Sequence, residues 1–203
     1  DARIAEVDRS GNLLVAGWTC GSIGCFECLL VKYSPDGAEL WSRTYSYNNG
    51  GGAIYDISID EFNNIYAAGE IYNQLNKDYL ILKYNSSGVL KWSRLYNGID
   101  NGDDIAYSVT NGKFGSVYLA GGSSGANSGK DYCLLKYDTT GNLLWTRRFD
   151  GPASGEDIIY GMTIDGFDNV YVTGKSYFGG DLGIGSVTLK YYENGNFGWF
   201  NSF

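Results

Sequence analysis

Residues 78 to 94 read Asp78-Tyr-Leu-Ile-Leu-Lys-Tyr-Asn-Ser-Ser-Gly-Val-Leu-Lys-Trp-Ser-Arg94, and this stretch decides the fold. Tyr79 to Tyr84 are aromatic and aliphatic apart from one lysine, the residue types that suit a pleated, half-buried strand. Asn85-Ser86-Ser87-Gly88 then reads as a turn whose glycine supplies the left-handed residue that closes a bulged hairpin. Val89 to Tyr96 is the returning strand. Upstream, Ile54 to Asp60 and Asn64 to Ile71 read as two more strands around the turn Asp60-Glu61-Phe62-Asn63-Asn64. One unit is therefore four successive strands, a to d, with strand c running from Asp78 to Asn85.

The unit recurs. Lys-Tyr stands at 32–33, 83–84, 136–137 and 190–191, with spacings of 51, 53 and 54 residues. Trp41, Trp92, Trp145 and Trp199 keep those spacings, and a glycine (Gly37, Gly88, Gly141, Gly195) precedes each by four residues. Three markers in one register divide the 203-residue chain into four copies, over residues 1–47, 48–98, 99–150 and 151–203. No segment has sustained helical periodicity. A lone four-stranded sheet leaves both faces underpacked, and side-by-side stacking about an axis buries them. The expected fold is an all-β propeller of four four-stranded antiparallel blades forming a single domain. A closed four-bladed ring, a section of a larger ring, and completion between molecules all remain open.

Composition narrows the function classes. The net charge is −8 and the 15 Lys and Arg form no run, which argues against nucleic acid and anionic membrane surfaces as partners. No apolar stretch approaches the ~20 residues of a spanning helix, so membrane insertion is not expected. Glycine is abundant and proline scarce, 30 against 2, as short strands with tight turns require. The chain has no His, so the commonest general base is missing, and H-E-x-x-H does not occur.

The unit at residues 54–94, Ile-Tyr-Asp-Ile-Ser-Ile-Asp through Lys-Trp-Ser-Arg, resembles the beta-propeller repeat family labelled SBBP, and Asp131 to Arg147 matches it well. Copy one departs at Cys20 to Cys28. Copy four departs at Gly183 to Ser186, and Asn201 replaces the arginine of Arg43, Arg94 and Arg147. The resemblance implies a secreted or cell-surface propeller and carries no defined activity.

Residues that recur with the repeat are read as scaffold: the lysines, the four tryptophans and the arginines, with stems along the sheet and heads paired or solvated. Function is sought where copies differ. The b–c loops (19–27, 72–77, 123–130 and 176–186) are polar and offer Tyr72, Asn73, Asn127, Tyr177 and Phe178 as candidate ligand-binding residues. The acidic d–a loops offer Asp100, Asp103, Asp104, Glu156 and Asp157 as a Ca²⁺ site, against the plainer reading of turns capped by their own carboxylates. No other cofactor is indicated. Cys20, Cys25 and Cys28 form C-x4-C-x2-C, for which one hairpin disulfide, Cys20–Cys25 or Cys20–Cys28, fits better than a metal site. Cys133 falls on an apolar column of strand c and is expected to be a buried thiol. Asn85-Ser86-Ser87 is a formal glycosylation sequon read as turn chemistry. The leading functional expectation is a non-catalytic recognition or adhesion module for protein or glycan. The alternatives are a self-associating structural subunit of a surface layer or filament, and a secreted hydrolase whose paired carboxylates the sequence does not reveal.

Overall fold

The computed structural model describes residues 1–20, 26–48, 50–125 and 129–203. Among the described residues sixteen strands form four antiparallel sheets, each in simple sequential order. Blade one holds β1 (Ala2–Val7), β2 (Leu13–Cys20), β3 (Phe26–Tyr33) and β4 (Glu39–Tyr45). Blade two holds β5 (Gly52–Ile59), β6 (Ile65–Tyr72), β7 (Lys77–Tyr84) and β8 (Leu90–Tyr96). Blade three holds β9 (Asp104–Asn111), β10 (Val117–Gly125), β11 (Gly129–Tyr137) and β12 (Leu143–Phe149), and blade four β13 (Ile158–Ile164), β14 (Val170–Gly179), β15 (Gly183–Tyr191) and β16 (Phe197–Ser202). This is the propeller architecture read from the repeat.

The core lies between blades. Leu14, Ala16, Cys28 and Leu30 of blade one pack on Ile65, Leu80, Leu82 and Tyr84 of blade two. Blade two turns its opposite face, Tyr66, Ala68, Tyr79 and Ile81, to Val117, Leu119, Cys133 and Leu135 of blade three. Tyr118, Ala120, Tyr132 and Leu134 meet Val170, Val172, Val187 and Leu189 of blade four. Alternation along each central strand therefore feeds two different cores. Among the described residues no fourth core joins blade four to blade one, so the four blades form an open arc.

A polar clamp reinforces each junction. Lys32 Nζ (3.2 Å) and Trp41 Nε1 (3.4 Å) donate to Ser86 O, and Arg43 Nε donates to Gly88 O at 2.7 Å, all on the c–d turn of the next blade. Lys83 and Trp92 reach Thr139 O at 3.2 and 3.1 Å, and Arg94 Nε reaches Gly141 O at 2.7 Å. Lys136, Trp145 and Arg147 repeat the pattern on Glu193 O and Gly195 O. In blades one to three the recurring heads thus reach across the junction to cap the next blade's turn carbonyls, and Lys32 is also paired with Asp8 of its own blade. The glycine in that turn serves twice. Gly88 has φ +75°, and a methyl group there would lie 2.8 Å from the Trp41 indole.

The turns are held as their residues require. Asn85 Oδ1 accepts from Val89 N (2.8 Å) and Ser87 Oγ (2.9 Å), so the sequon asparagine is occupied by its own hairpin. Asp8 Oδ1 accepts from Ser10 N and Asn12 N at 2.8 and 2.9 Å in the a–b turn of blade one. Blade three has Gly112 there, and Asp168 of blade four reaches across to accept from Lys113 N at 2.8 Å. Burial opposes ionisation of Asp8, but Lys32, 2.7 Å away, and the donors of Asn12 and Ser10 outweigh it and lower its carboxyl to about 2.

Arg94→Ala is expected to lower unfolding free energy by about 1.5–3 kcal/mol, and Arg94→Lys to recover less than half, because lysine lacks the guanidinium fork; urea unfolding measures both. Gly88→Ala should cost about 2 kcal/mol in the same assay through its left-handed φ and the Trp41 contact. For Asp8 the folded pKa lies below the unfolded one, so its contribution is complete above about pH 4 and drains away toward about pH 2. Asp8→Asn should therefore destabilise the chain clearly at pH 7 and little at pH 2, and equal losses at both would refute the assignment.

Candidate functional site

Each strand a carries one extra residue opposite strand b: Arg3 in β1, Tyr55 in β5, Tyr107 in β9 and Tyr160 in β13. Such bulges re-aim a side chain. The glycine opposite each bulge is sterically required, since a methyl at Gly69 would sit 1.9 Å from Ala53 O. The bulged tyrosines form a row, with ring centroids 5.5 Å apart for Tyr55–Tyr107 and 5.6 Å for Tyr107–Tyr160. Blade one ends the row with a cation in place of a ring.

Beside Arg3 the row opens into a cavity of about 470 Å³ between blades one and two. Trp18 on β2, Phe26 at the start of β3, and Tyr55 and Tyr72 of blade two supply its aromatic walls, while Arg3, Glu70 and Lys77 supply its charges. The Arg3 guanidinium lies 4.5 Å from the centre of the Trp18 ring, and Phe26 meets Trp18 edge-on at 6.3 Å. Lys77 Nζ pairs with Glu70 Oε1 at 2.8 Å. The second oxygen, Glu70 Oε2, is buried with no hydrogen-bond partner. Burial, then the charge of Glu70, pushes the Tyr55 phenol above its ordinary range, so it remains a neutral donor near neutral pH.

Of the loop residues singled out by sequence, Tyr72 lines this cavity, half exposed, with its hydroxyl donating to Gln74 O at 3.1 Å. Asn73 is consumed by its own turn: its Oδ1 accepts from Leu75 N and Asn76 N, and its Nδ2 donates to Asp78. Tyr177 and Phe178 belong to blade four, where Phe178 packs against the blade three–four core. Asn127 lies outside the described residues. The residues sequence reasoning missed are Arg3, Trp18, Phe26, Tyr55, Glu70 and Lys77. Arg3, Tyr55, Tyr107 and Tyr160 recur at spacings of 52, 52 and 53, a signal that was present in the chain.

The acidic loops hold themselves in place. Asp104 accepts from Gly98 N and Ser124 N at 2.5 and 3.0 Å, and Asp157 makes the equivalent bonds to Gly151 N and Tyr177 N at 2.8 and 3.0 Å. Asp100 accepts from Gly102 N, Asp103 from Lys77 N, and Glu156 pairs with Lys175. Among the described residues the carboxylates that converge are Asp131, Asp150 and Asp157, whose ligand oxygens lie within 4.8 Å of one another. A hard cation would find three oxygens there. Arg148 already brings positive charge to the group, 3.0 Å from Asp131.

The disulfide expectation is corrected for Cys20 and Cys28: both are free thiols, as is Cys133. Cys20 pairs in register with Phe26, and Cys28 with Trp18. The two cysteines are thus diagonal neighbours, a separation of roughly 7–8 Å that a disulfide does not span. Cys25 lies outside the described residues.

Sequential four-stranded sheets stacked through their faces define a propeller-type scaffold. Residues 144–181, from β12 into the turn after β14, match the model of the SBBP beta-propeller repeat. No curated protein matches the chain.

Burial pushes the thiols of Cys28 and Cys133 up to about 12. A disulfide-exchange reagent at neutral pH should therefore modify exposed Cys20 in the folded protein, and Cys28 and Cys133 only after denaturation; peptide mapping of the labelled thiols checks this.

Proposed function

We propose that this chain is a non-catalytic recognition module of the cell exterior, and that the cleft between blades one and two binds a saccharide. The observation that carries the reading is the lining of the cleft, where Trp18, Phe26, Tyr55 and Tyr72 form aromatic walls around the carboxylate of Glu70. A ligand that offers a hydroxyl donor beside an apolar face answers both features. The donor completes the carboxylate, and the rings of Trp18 and Tyr72 cover the ligand's carbon skeleton. Rigid aromatic side chains give such contact area at little entropic cost.

The charges favour binding over hydrolysis. Glycoside cleavage uses two carboxyl groups across the bond, and the charged groups that share the cleft with Glu70 are the cations Arg3 and Lys77. Placement outside the cell rests on the repeat resemblance.

The test is a glycan array followed by titration calorimetry on the best hit. Trp18→Ala and Glu70→Gln should each weaken binding about 10- to 100-fold, the range for lost stacking or a hydrogen bond to a charged group, while Tyr177→Ala leaves it unchanged. Turnover of the bound glycan, absence of binding to any glycan, or binding indifferent to both cleft variants would overturn the proposal.

A further inference from the structure

Among the described residues, the turn that receives the clamp is present in blade one with nothing on it. Gly37 has φ +84°, matching Gly88, Gly141 and Gly195 at +75°, +82° and +82°. A methyl on any of those three would strike the preceding blade's tryptophan or arginine at 2.6 to 2.9 Å, whereas nothing lies within 4 Å of the same point at Gly37. The sheet face beside this turn shows the same vacancy. Leu13, Val15, Leu29 and Tyr33 occupy the columns of Ile65, Ala67, Leu80 and Tyr84 in blade two. Those blade-two positions are 0–3% exposed, whereas Leu13 is 37% exposed and Val15, Leu29 and Tyr33 are half-buried.

The opposite end of the arc is built differently. Where blades one to three turn Ala16, Ala68 and Ala120 forward on strand b, blade four has Thr173, hydrogen-bonded at 3.0 Å to Thr188 on strand c. Asn201 stands in the arginine column, paired in register with Thr188 as Arg43 is with Leu30. Thr173, Thr188 and Asn201 make this part of the face polar and remove the guanidinium, while Lys190 and Trp199 of the clamp remain. This face therefore does not match the apolar face of blade one, which disfavours head-to-tail stacking of identical chains.

We infer that the free face of blade one is a docking surface for one further blade of this same repeat, whose fourth strand carries Trp-Xaa-Arg. The apolar forward face of that blade would cover Leu13, Leu29 and Tyr33, and its lysine, tryptophan and arginine would cap the carbonyls of the Pro35-Asp36-Gly37 turn.

Leu29 occupies the column of Cys133, so a thiol introduced at position 29 can be compared with a natural buried one in the same molecule. In a C20S/C25S/L29C chain, the position-29 thiol should react with a maleimide about a hundredfold faster than Cys133, which also reports that the variant is folded. Fusing a copy of residues 53–104, one full repeat period, directly ahead of Asp1 should slow position 29 to the rate of Cys133. Trp92→Ala with Arg94→Asn in the fused copy alone should restore fast labelling. Rapid labelling of position 29 in the extended chain, with Cys133 still protected, would overturn the inference. So would a position-29 thiol that is already as slow as Cys133 without the added blade. Light scattering then assigns the cover to a second copy if the chain is dimeric, or to ring closure if it is monomeric.

Discussion

The structure depends on backbone carbonyls that a tight turn leaves facing outward. Each c–d hairpin ends in a left-handed glycine, and the conformation that closes the hairpin presents the preceding carbonyls to one side. The previous blade's lysine, tryptophan and arginine converge on them. Each set also stacks on itself: the Arg94 guanidinium lies 5.6 Å from the Trp92 ring centre, and Lys83 Nζ 4.9 Å from that of Tyr66. A hydrogen bond from a charged group is worth about 1.5–3 kcal/mol, and the aromatic stem adds apolar burial. The clamp also sets direction, since each set caps the turn of the following blade, and blades so joined stack in sequence order.

The cleft exists because blade one departs from this pattern. In blades two and three the forward face carries tyrosine at Tyr79 and Tyr132, whose hydroxyls donate to Cys133 O and Val187 O of the next blade at 3.1 and 3.0 Å. Blade one has Cys28 in that column, a smaller side chain that makes no such bond. At the same end Trp18 takes the column filled by Glu70, Gly122 and Lys175, and Arg3 takes the bulge position filled elsewhere by tyrosine. The junction keeps its core and its clamp but loses its cross-blade bond at the axial end, where the cavity opens. The cleft therefore arises from three substitutions, Arg3, Trp18 and Cys28, on an unchanged frame.

The division into four sheets was legible because it rests on spacing, and spacing survives in a linear sequence. The lysine, tryptophan and arginine columns were legible as scaffold for the same reason. Their partner was not, since periodicity identifies equivalent residues without saying which neighbour they touch. The Cys20–Cys28 bridge failed on register: the two are close along the chain, but pairing Cys20 with Phe26 sets Cys28 one diagonal away. Seeking function in variable loops found Tyr72 and missed the rest of the cleft. Arg3 and Trp18 lie within strands, and their importance comes from a bulge and a blade contact that no local pattern encodes. Asn73 and Phe178 were misplaced because a polar or aromatic residue in a loop looks alike whether it faces solvent, its own turn or the core.

The ends of the arc follow from the same pairwise logic. A blade is stabilised by the neighbours on its two faces, so a terminal blade either replaces apolar residues with polar ones on its outer face or exposes a surface built for burial. Blade four takes the first course: Thr173 and Thr188 bond each other, and Asn201 stands where the other blades carry arginine. Blade one takes neither course. It retains Leu13, Leu29 and Tyr33 on its outer face and folds the Ser34-to-Gly37 turn into the receiving conformation, with Gly37 N bonded to Ser34 O at 2.9 Å. A receiving turn and an apolar face contribute to stability only when occupied. Their joint presence at one end, with both departures at the other, gives the arc a polarity that a symmetric stack of equivalent repeats would lack.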